Sequence, residues 1–272
     1  MNNIKPSLFD PQEVLSQIGK NLSKDKKNTL KTLTELMRER YELFSDNKHS
    51  LELIQPLPQD AYSKFMGNLY KRDRTVIKNL WNDVIGQNGS MFRCPICGID
   101  TVYHLDHYMP KSIFPEFSIH PHNLIPLCAK CNDNKSQQWL DNNKNRVVFN
   151  AYYDQPKVHV LECSITISEN NLPHVEIFFA NHENQWTIHE RTINALKLMP
   201  RITDDLQCIL GSVIESIKNN YDNSQDRQQY YEKCKNDLIK MTSNEKVLEN
   251  LKLLYDGIVR SIDFEKWIIQ QL

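Results

Sequence analysis

Two cysteine pairs constrain this chain more than any other feature of its sequence. Cys94 and Cys97 form the first CxxC pair, and a second pair, Cys128 and Cys131, follows further along the chain. Each pair can present two thiolates to one metal ion, and four thiolates suit tetrahedral zinc. A redox role is less favoured, because there are two pairs and neither lies in a βαβ pattern. The sequence therefore predicts a closed, structural Zn²⁺ site with these four ligands.

The composition is that of a soluble globular protein. Of the 272 residues, 40% are hydrophobic and 25% are charged, and only 7 are glycine, which favours helices over a turn-rich all-β fold. The N-terminal stretch has no apolar signal segment, and no stretch has the ~18 apolar residues that a membrane span needs. We therefore expect a cytoplasmic protein with no membrane contact, whose cysteines do not form disulfides.

Residue patterns divide the chain into three segments. Residues 1–90 show apolar residues at helical spacing, namely Leu30, Leu33, Leu36, Met37, Tyr41 and Phe44. A second helix is predicted from about Ala61 to Ile85, before the breaking sequence Gln87-Asn88-Gly89. Residues 91–155 lose this period and are rich in Cys, His, Pro and Asn up to residue 136. The stretch Arg146–Tyr153 is apolar and β-prone.

Residues 156–272 carry the signals of a hairpin followed by helices. Alternating apolar residues predict strands at Val158–Ser168 and Val175–Phe179, with a turn at Asn170–Pro173 between them. From Thr187 onwards the pattern is helical, with one apolar face formed by Val247, Leu248, Leu251, Leu254, Tyr255, Ile258 and Ile262. The whole sequence predicts a mainly helical α+β protein.

The stretch between the cysteine pairs carries residues suited to phosphodiester hydrolysis. That reaction needs a base to deprotonate a water and a divalent cation near the phosphate. Asp106 and His107 are adjacent, so on a strand their side chains point to opposite faces. The carboxylate can then face the cation while the imidazole faces the attacking water. Asn132, at the start of a predicted helix, can supply a second oxygen ligand.

Residues 94–136 resemble the HNH endonuclease motif in its zinc-bound form, through the runs HLDHYMPKS and HNLIPLCAKCNDNKS. The resemblance implies a ββα-metal core of two strands and a helix around one catalytic cation, flanked by N- and C-terminal helical segments. It implies His107 as the general base and Asn123 as the residue that orients it through a loop hydrogen bond. It implies Asp106 and Asn132 as ligands of the catalytic cation. The family often has His at the position of Asn132, and an amide there leaves Mg²⁺ or Mn²⁺ workable.

Basic side chains near the motif are candidates for phosphate contacts. Lys135 and, with less support, Lys111 can bind phosphate. The run Lys64–Lys78 is also basic; it is either a solvated helix face or part of a nucleic-acid surface. Three further histidines have no motif role: we expect His104 to pack or hydrogen-bond, and His120 and His122 to be exposed in a loop.

The formal net charge of −1 does not identify a partner. The favoured interpretation is an HNH nuclease that cuts DNA; the alternatives are an RNA-cutting nuclease, a zinc-knuckle module that binds without cutting, and a regulatory subunit. The enzyme is favoured over a binding module because such a module needs no acid–histidine pair at positions 106 and 107. The run from Asp106 to Asn132 also resembles HNH proteins of Septu-type anti-phage defence systems, some of which work beside an ATPase. An ATPase partner is therefore a further expectation.

Overall fold

Two structural units make up the protein, Met1–Pro156 and Lys157–Leu272. The computed structural model describes residues 1–89, 93–155, 160–180, 187–244 and 249–272. Within these ranges, no helix combines the length and the apolar composition that crossing a membrane requires.

Four helices open the first unit: α1 (Pro11–Lys20), α2 (Lys24–Asp46), α3 (Ala61–Gly67) and α4 (Thr75–Asn88). Asp10 begins α1, because its carboxylate accepts hydrogen bonds from the first free backbone N–H groups of the helix. The predicted apolar face lies on α2, where all its members are buried except the half-buried Leu36. This face packs α2 into the core of the unit, as the periodicity predicts.

The single helix predicted from Ala61 to Ile85 is wrong, because residues 68–74 separate α3 from α4. We call this segment the 68–74 loop. Only Leu69 in it is buried, and Lys71–Arg74 is a run of charged residues with no apolar side to pack against the core. The helical pattern is therefore interrupted at the very residues that make this region basic.

Two short strands and a helix form the centre of the first unit. The strands β1 (His104–His107) and β2 (Leu124–Leu127) are antiparallel, and α5 (Ala129–Lys135) follows β2 and packs against β1. In this pairing Asp106 lies opposite Ile125 and His107 lies opposite Leu124. The two strands lie between the cysteine pairs and the helix carries Cys131, and this order of strand, strand and helix is the predicted ββα arrangement.

The β-prone stretch Arg146–Tyr153 forms no strand; only Arg146 makes an isolated bridge. Side chains compete for its backbone, since Asp154 accepts from the Asn150 N–H at 2.7 Å and Asn150 accepts from the Tyr152 N–H at 3.0 Å. The resulting turn supports β2 instead, because the Tyr152 hydroxyl donates to the Leu124 carbonyl at 2.7 Å.

The second unit contains an antiparallel hairpin and five helices within its described residues. The strands are β3 (Leu161–Ile167) and β4 (Pro173–Phe179), which confirms the predicted hairpin, although residues 158 and 159 lie outside the described ranges. The helices are α6 (Ile188–Ala195), α7 (Leu198–Asn219), α8 (Arg227–Thr242), α9 (Glu249–Arg260) and α10 (Ile262–Gln271). Helix α7 packs on β4, and α9 and α10 pack on β3.

The C-terminal apolar face is shorter than its periodicity suggests. Leu254 and Ile258 are buried on α9, whereas Ile262 is 67% exposed, because Ser261 caps a new helix at that point. Residues 247 and 248 lie outside the described ranges. Helix α9 approaches β3 so closely that a Cβ on Gly257 would lie 2.8 Å from the Cys163 sulfur. Only glycine fits there.

Candidate metal and nuclease site

The four cysteines of the two CxxC pairs come together in the folded chain. Their Sγ atoms all lie within 4.8 Å of one another, and all four residues are buried. The Sγ atoms of Cys97 and Cys128 are 3.8 Å apart, and a tetrahedral site with Zn–S distances near 2.3 Å has edges of about 3.8 Å. The cluster therefore has the dimensions of a zinc site in which all four ligands come from the protein.

The second cysteine pair is part of the start of α5. Cys128 is the N-cap residue, and its Sγ accepts a hydrogen bond from the Cys131 N–H at 3.4 Å. Cys128 also directly follows β2. A zinc ion in the cluster would thus hold the end of β2 and the start of α5 together.

The two faces of β1 offer different environments. His107 is on the buried face, with 8% of its surface exposed, whereas His104 and Asp106 lie on the half-buried face. The separation of Asp106 from His107 follows from their adjacency on a strand. The imidazole, however, lies deeper than an arrangement with an open water channel would require.

One ring nitrogen of His107 is committed to the protein. Its Nε2 lies 2.9 Å from the Ser118 carbonyl oxygen, and because a carbonyl only accepts, Nε2 carries the proton. Nδ1 therefore keeps its lone pair, and it has no hydrogen-bond partner among the described residues. Burial lowers the pKa of His107 to about 3, so the ring is neutral at neutral pH. A neutral ring with a free lone pair can take a proton from water.

Lys135 is buried against β1, with 1% of its side chain exposed. Its Nζ donates to the His107 carbonyl oxygen at 2.7 Å and lies 2.8 Å from Asp106 Oδ2. The contact with Asp106 is an ion pair without the alignment of a hydrogen bond. To bind phosphate, as the sequence predicts, this ammonium would have to leave both partners.

Asn132 lies one helical turn before Lys135 on α5, half-buried. Residues three apart on a helix share a face, and Lys135 reaches Asp106 from that face, so Asn132 is on the side of α5 turned to β1. Its side-chain amide makes no hydrogen bond with a described residue. Asp106 and Asn132 thus offer a carboxylate and an amide oxygen, a donor set that fits a hard divalent cation.

Asn123 closes the loop that joins β1 to β2. Its side chain accepts from the Met109 N–H at 2.8 Å and donates to the carbonyls of Met109 and Phe117, each at 3.1 Å. Phe117 immediately precedes Ser118, whose carbonyl receives the His107 ring. The buried amide of Asn123 therefore fixes the loop residue on which the orientation of His107 depends.

His104 begins β1, and Lys111 follows β1 in the chain. Lys111 is exposed, and its charge is among the causes, after burial, that lower the pKa of His107. His104 is half-buried and its ring meets that of Tyr103 edge-on, with centroids 4.6 Å apart. The predicted packing role fits His104, and Lys111 stays available to solvent.

The expectation that His120 and His122 are exposed loop residues is wrong. His120 is fully buried, with ring centroids 4.2 Å from Phe44 and 4.9 Å from Tyr41. His122 is half-buried; its Nε2 donates to the Ser7 carbonyl at 3.2 Å, so its Nδ1 accepts from the Tyr153 hydroxyl at 2.6 Å. Aromatic residues distant in sequence bury these rings, so their local sequence does not reveal it.

The 68–74 loop reaches the site, and it belongs to the basic run that the sequence leaves as either a solvated helix face or part of a nucleic-acid surface. The Tyr70 hydroxyl donates to the Leu105 carbonyl at 3.1 Å, and the Tyr70 ring lies edge-on to His107 with centroids 4.6 Å apart. The basic run Lys64–Lys78 was the one available signal. A basic run is compatible with a nucleic-acid surface but cannot show which side chain lies over β1.

Comparisons with known proteins identify the motif segment. Residues 94–138 match the family model described as HNH endonuclease. Protein ea31 of Escherichia phage lambda is 28% identical over 115 residues, which are 40% of this chain and 38% of the phage protein. The chain therefore spans well under half the length of this relative. No solved structure matches the chain. An HNH endonuclease domain thus lies at residues 94–138, and the four-cysteine cluster fits that family.

Proposed function

We propose that the protein is a metal-dependent endonuclease that hydrolyses phosphodiester bonds of nucleic acid, with His107 as its general base. The observation that carries the proposal is the state of His107, whose ring is neutral, bonded through Nε2 to the Ser118 carbonyl, and unpartnered at Nδ1 among the described residues. It adjoins the carboxylate of Asp106 inside the segment that matches the HNH family model.

Each residue then has a defined task in the hydrolysis. A water oxygen bonds to phosphorus, its proton passes to Nδ1 of His107, and the bond to the leaving sugar oxygen breaks, with a solvent proton neutralising that oxygen. The Ser118 carbonyl accepts from Nε2–H and so stabilises the imidazolium that forms. Asp106 and Asn132 would hold a divalent cation, Mg²⁺ or Mn²⁺, and this cation would supply positive charge to stabilise the phosphate and the leaving oxygen. Lys111 is proposed to contact the phosphate backbone.

The burial of His107 favours a regulated enzyme over one that is always active. With 8% of its surface exposed, this base is not open to a substrate without movement of its neighbours. We therefore propose that the protein works with a partner, an ATPase in bacterial anti-phage defence. We propose DNA as the substrate. The support for the partner is the resemblance of the run from Asp106 to Asn132 to Septu-type proteins. Copurification of an ATPase would support the proposed partner. Cleavage of RNA but not of DNA would show that RNA is the substrate instead.

Cleavage assays with variants of His107 test the enzymatic proposal. Purified protein is incubated with plasmid DNA, or with a labelled RNA, in Mg²⁺ or Mn²⁺. Wild type, with any copurified partner retained, should cut, and His107→Ala and His107→Gln should lose the activity, since neither side chain is a base. The glutamine side chain can still donate to the Ser118 carbonyl. Loss of activity in this variant therefore reports the missing base and not a displaced loop.

His174→Ala is the matched control, because it removes an exposed histidine of β4. Each variant must keep the wild-type zinc content, which shows that the core is folded. Equal cutting by wild type and His107→Gln would reject His107 as the base. Zinc-loaded wild type that binds nucleic acid but never cuts it, with or without its copurified partner, would favour the non-catalytic binding module.

A further inference from the structure

Tyr70 is fastened to the strand that carries the candidate base. Its hydroxyl donates to the Leu105 carbonyl at 3.1 Å, and Leu105 lies on β1, two residues before His107. The residue before Tyr70 is Leu69, which is buried with 1% of its surface exposed and anchors the 68–74 loop in the core. The ring of Tyr70 is therefore held against β1 from its backbone and from its hydroxyl.

The Tyr70 ring packs against the candidate base without a hydrogen bond to it. The two ring centroids are 4.6 Å apart and the planes are inclined at 75°, which is the edge-on arrangement that aromatic rings favour. A phenol has one hydrogen to donate, and Tyr70 gives it to the Leu105 carbonyl, so Nδ1 of His107 keeps its lone pair for a water. Since the Ser118 carbonyl lies 2.9 Å from Nε2, the imidazole is held at two points.

The same ring contacts Lys111. The Nζ atom of this lysine lies 5.5 Å from the centre of the Tyr70 ring, inside the ~6 Å over which an ammonium is attracted to an aromatic ring. Lys111 is exposed and forms no ion pair with any residue in the described part of the chain. An aromatic ring attracts a cation without neutralising it, so the ammonium keeps its full charge for a phosphate oxygen.

Tyr153 makes the same kinds of contact elsewhere in the first unit. It is half-buried, its ring lies edge-on to His49 with centroids 5.8 Å apart, and Lys48 Nζ lies 6.0 Å from its centre. Its hydroxyl donates to His122 at 2.6 Å. Such packing is therefore an ordinary structural device in this chain. Tyr70 differs because both of its partners have tasks in the proposed hydrolysis, and it lies outside the 94–138 segment that matches the family model.

We propose that Tyr70 is a positioning residue of the nuclease site, which sets the placement of the base His107 relative to Lys111, the proposed phosphate contact. This inference rests on the proposed function, because it takes these two side chains as parts of one site. Both must meet the same phosphodiester, the base through the attacking water and the ammonium through a phosphate oxygen. One rigid ring in contact with both fixes their separation. Because its hydroxyl is bonded to β1 itself, Tyr70 would stay with His107 when other neighbours move to admit the substrate.

Substitutions that keep or remove the ring test this role, with cleavage of a labelled DNA duplex in Mg²⁺ as the assay. Tyr70→Phe keeps both ring contacts and loses one hydrogen bond, so kcat and KM should stay within about fivefold of wild type. Tyr70→Leu removes the ring. Its kcat should fall about 100-fold, as for a catalytic group displaced by ~1 Å. Its KM should rise about threefold through loss of the contact with Lys111.

Tyr153→Phe and Tyr153→Leu are the matched controls, because they remove a hydroxyl or a ring with the same kinds of contact away from His107. Variants are compared at wild-type zinc content and at a temperature at which circular dichroism shows them folded. Tyr153→Leu should keep kcat near the wild-type value. Tyr70→Met, whose flexible side chain fills the space without a ring, replaces Tyr70→Leu should that variant not fold. An equal fall of kcat in the Tyr70 and Tyr153 leucine variants would overturn the inference and leave Tyr70 a structural role alone.

The link between Tyr70 and Lys111 is measured by binding, without cleavage. In the non-cleaving His107→Gln protein, the affinity for a fluorescein-labelled DNA duplex is measured by anisotropy for Tyr70→Leu, for Lys111→Ala and for both together. Tyr70→Leu should weaken binding about threefold when Lys111 is present and should change nothing when it is absent, since the ring acts through that ammonium. Additive effects, or no effect of Lys111→Ala, would overturn the link.

Nuclear magnetic resonance of the histidine ring protons distinguishes failure of this inference from failure of the proposed function. The signals of His107 are assigned by their absence in His107→Gln. Tyr70→Leu should shift them, because the neighbouring ring current is lost, and Tyr70→Phe should leave them near the wild-type positions. Cleavage by wild type with unchanged kcat in Tyr70→Leu would overturn the inference alone. Absence of cleavage by wild type, with shifted signals and coupled binding, would overturn the nuclease and keep the link between Tyr70, His107 and Lys111. Unshifted signals with additive binding would overturn the inference whether or not wild type cuts.

Discussion

Replacement of Lys135 by methionine tests whether this buried lysine holds the site together. Methionine keeps most of the apolar stem but removes the ammonium. Asp106 Oδ2 then loses the charge at 2.8 Å, and the His107 carbonyl loses its donor at 2.7 Å. Oδ2 is a buried atom with no hydrogen bond to fall back on. The variant therefore leaves a carboxylate and a carbonyl uncompensated at the end of β1.

The expected loss is about 3 kcal/mol of unfolding free energy. Breaking a buried ion pair by removing one partner costs about 3–5 kcal/mol, and an unsatisfied carbonyl adds about 1–3 kcal/mol. Two effects reduce the sum: Asp106 retains 15% exposure, which admits water, and methionine packs well in the space of the lysine stem. The result should lie near the lower end of the range for a buried pair.

Urea unfolding of the zinc-loaded protein, followed by circular dichroism, measures this loss. Lys130→Met is the matched control, because Lys130 is an exposed lysine on the same helix, and its replacement should cost less than about 0.5 kcal/mol. In an Asp106→Asn background the cost of Lys135→Met should fall to about 1–2 kcal/mol, since the stranded charge is gone. Equal stability of the two lysine variants would refute the assignment of Lys135 as a buried partner of Asp106.

Two further predictions concern the zinc cluster and the buried histidines. Cys131→Ser should abolish stoichiometric zinc binding, measured by metal analysis, and unfold the core, because structural zinc sites contribute about 10 kcal/mol or more to folding. Cys208→Ser, at an exposed cysteine, should retain both zinc and fold, and zinc-free Cys131→Ser with wild-type stability would contradict the structural role. Burial lowers the pKa of both His107 and His120, so the folded state binds fewer protons than the unfolded state below about pH 6.5. As the pH decreases below about 6.5, the free energy of unfolding should therefore decrease by about 1.4 kcal/mol per histidine for each pH unit. The loss from His107 should be complete near its folded pKa of about 3. His120→Phe should show a shallower fall in urea unfolding, and the same slope as wild type would show that His120 is not buried as a neutral ring.

The parts of the site that sequence predicts are those set by short spacing. The CxxC pairs bring two ligands each to one place by local geometry alone, and adjacency on a strand separates Asp106 from His107. The hairpin of β3 and β4 follows from alternation in the same way. In each case the deciding contacts lie within a few residues, so the pattern carries the information.

The parts that sequence does not predict depend on contacts between distant segments. Tyr70 reaches Leu105 across 35 positions, and no periodicity marks that pairing. The local sequence of His120 predicts an exposed loop residue, but in the fold the aromatic side chains of α2 surround its ring. The sequence predicts that Lys135 is exposed, because lysine is almost never buried without a partner. Its partner, Asp106, lies on another element, so the sequence around Lys135 does not reveal it.

Because Cys128 directly follows β2, the zinc cluster can fix the register of β1 and β2. Two strands of four residues are too short to hold their own alignment, and a slip of one residue exchanges the faces of every side chain. Such a slip would turn His107 outwards and Asp106 inwards. By holding Cys128, the residue that directly follows β2, the zinc cluster would prevent this inversion. Loss of zinc would therefore remove, together with the fold of the core, the alignment that keeps the acid and the base on opposite faces of β1.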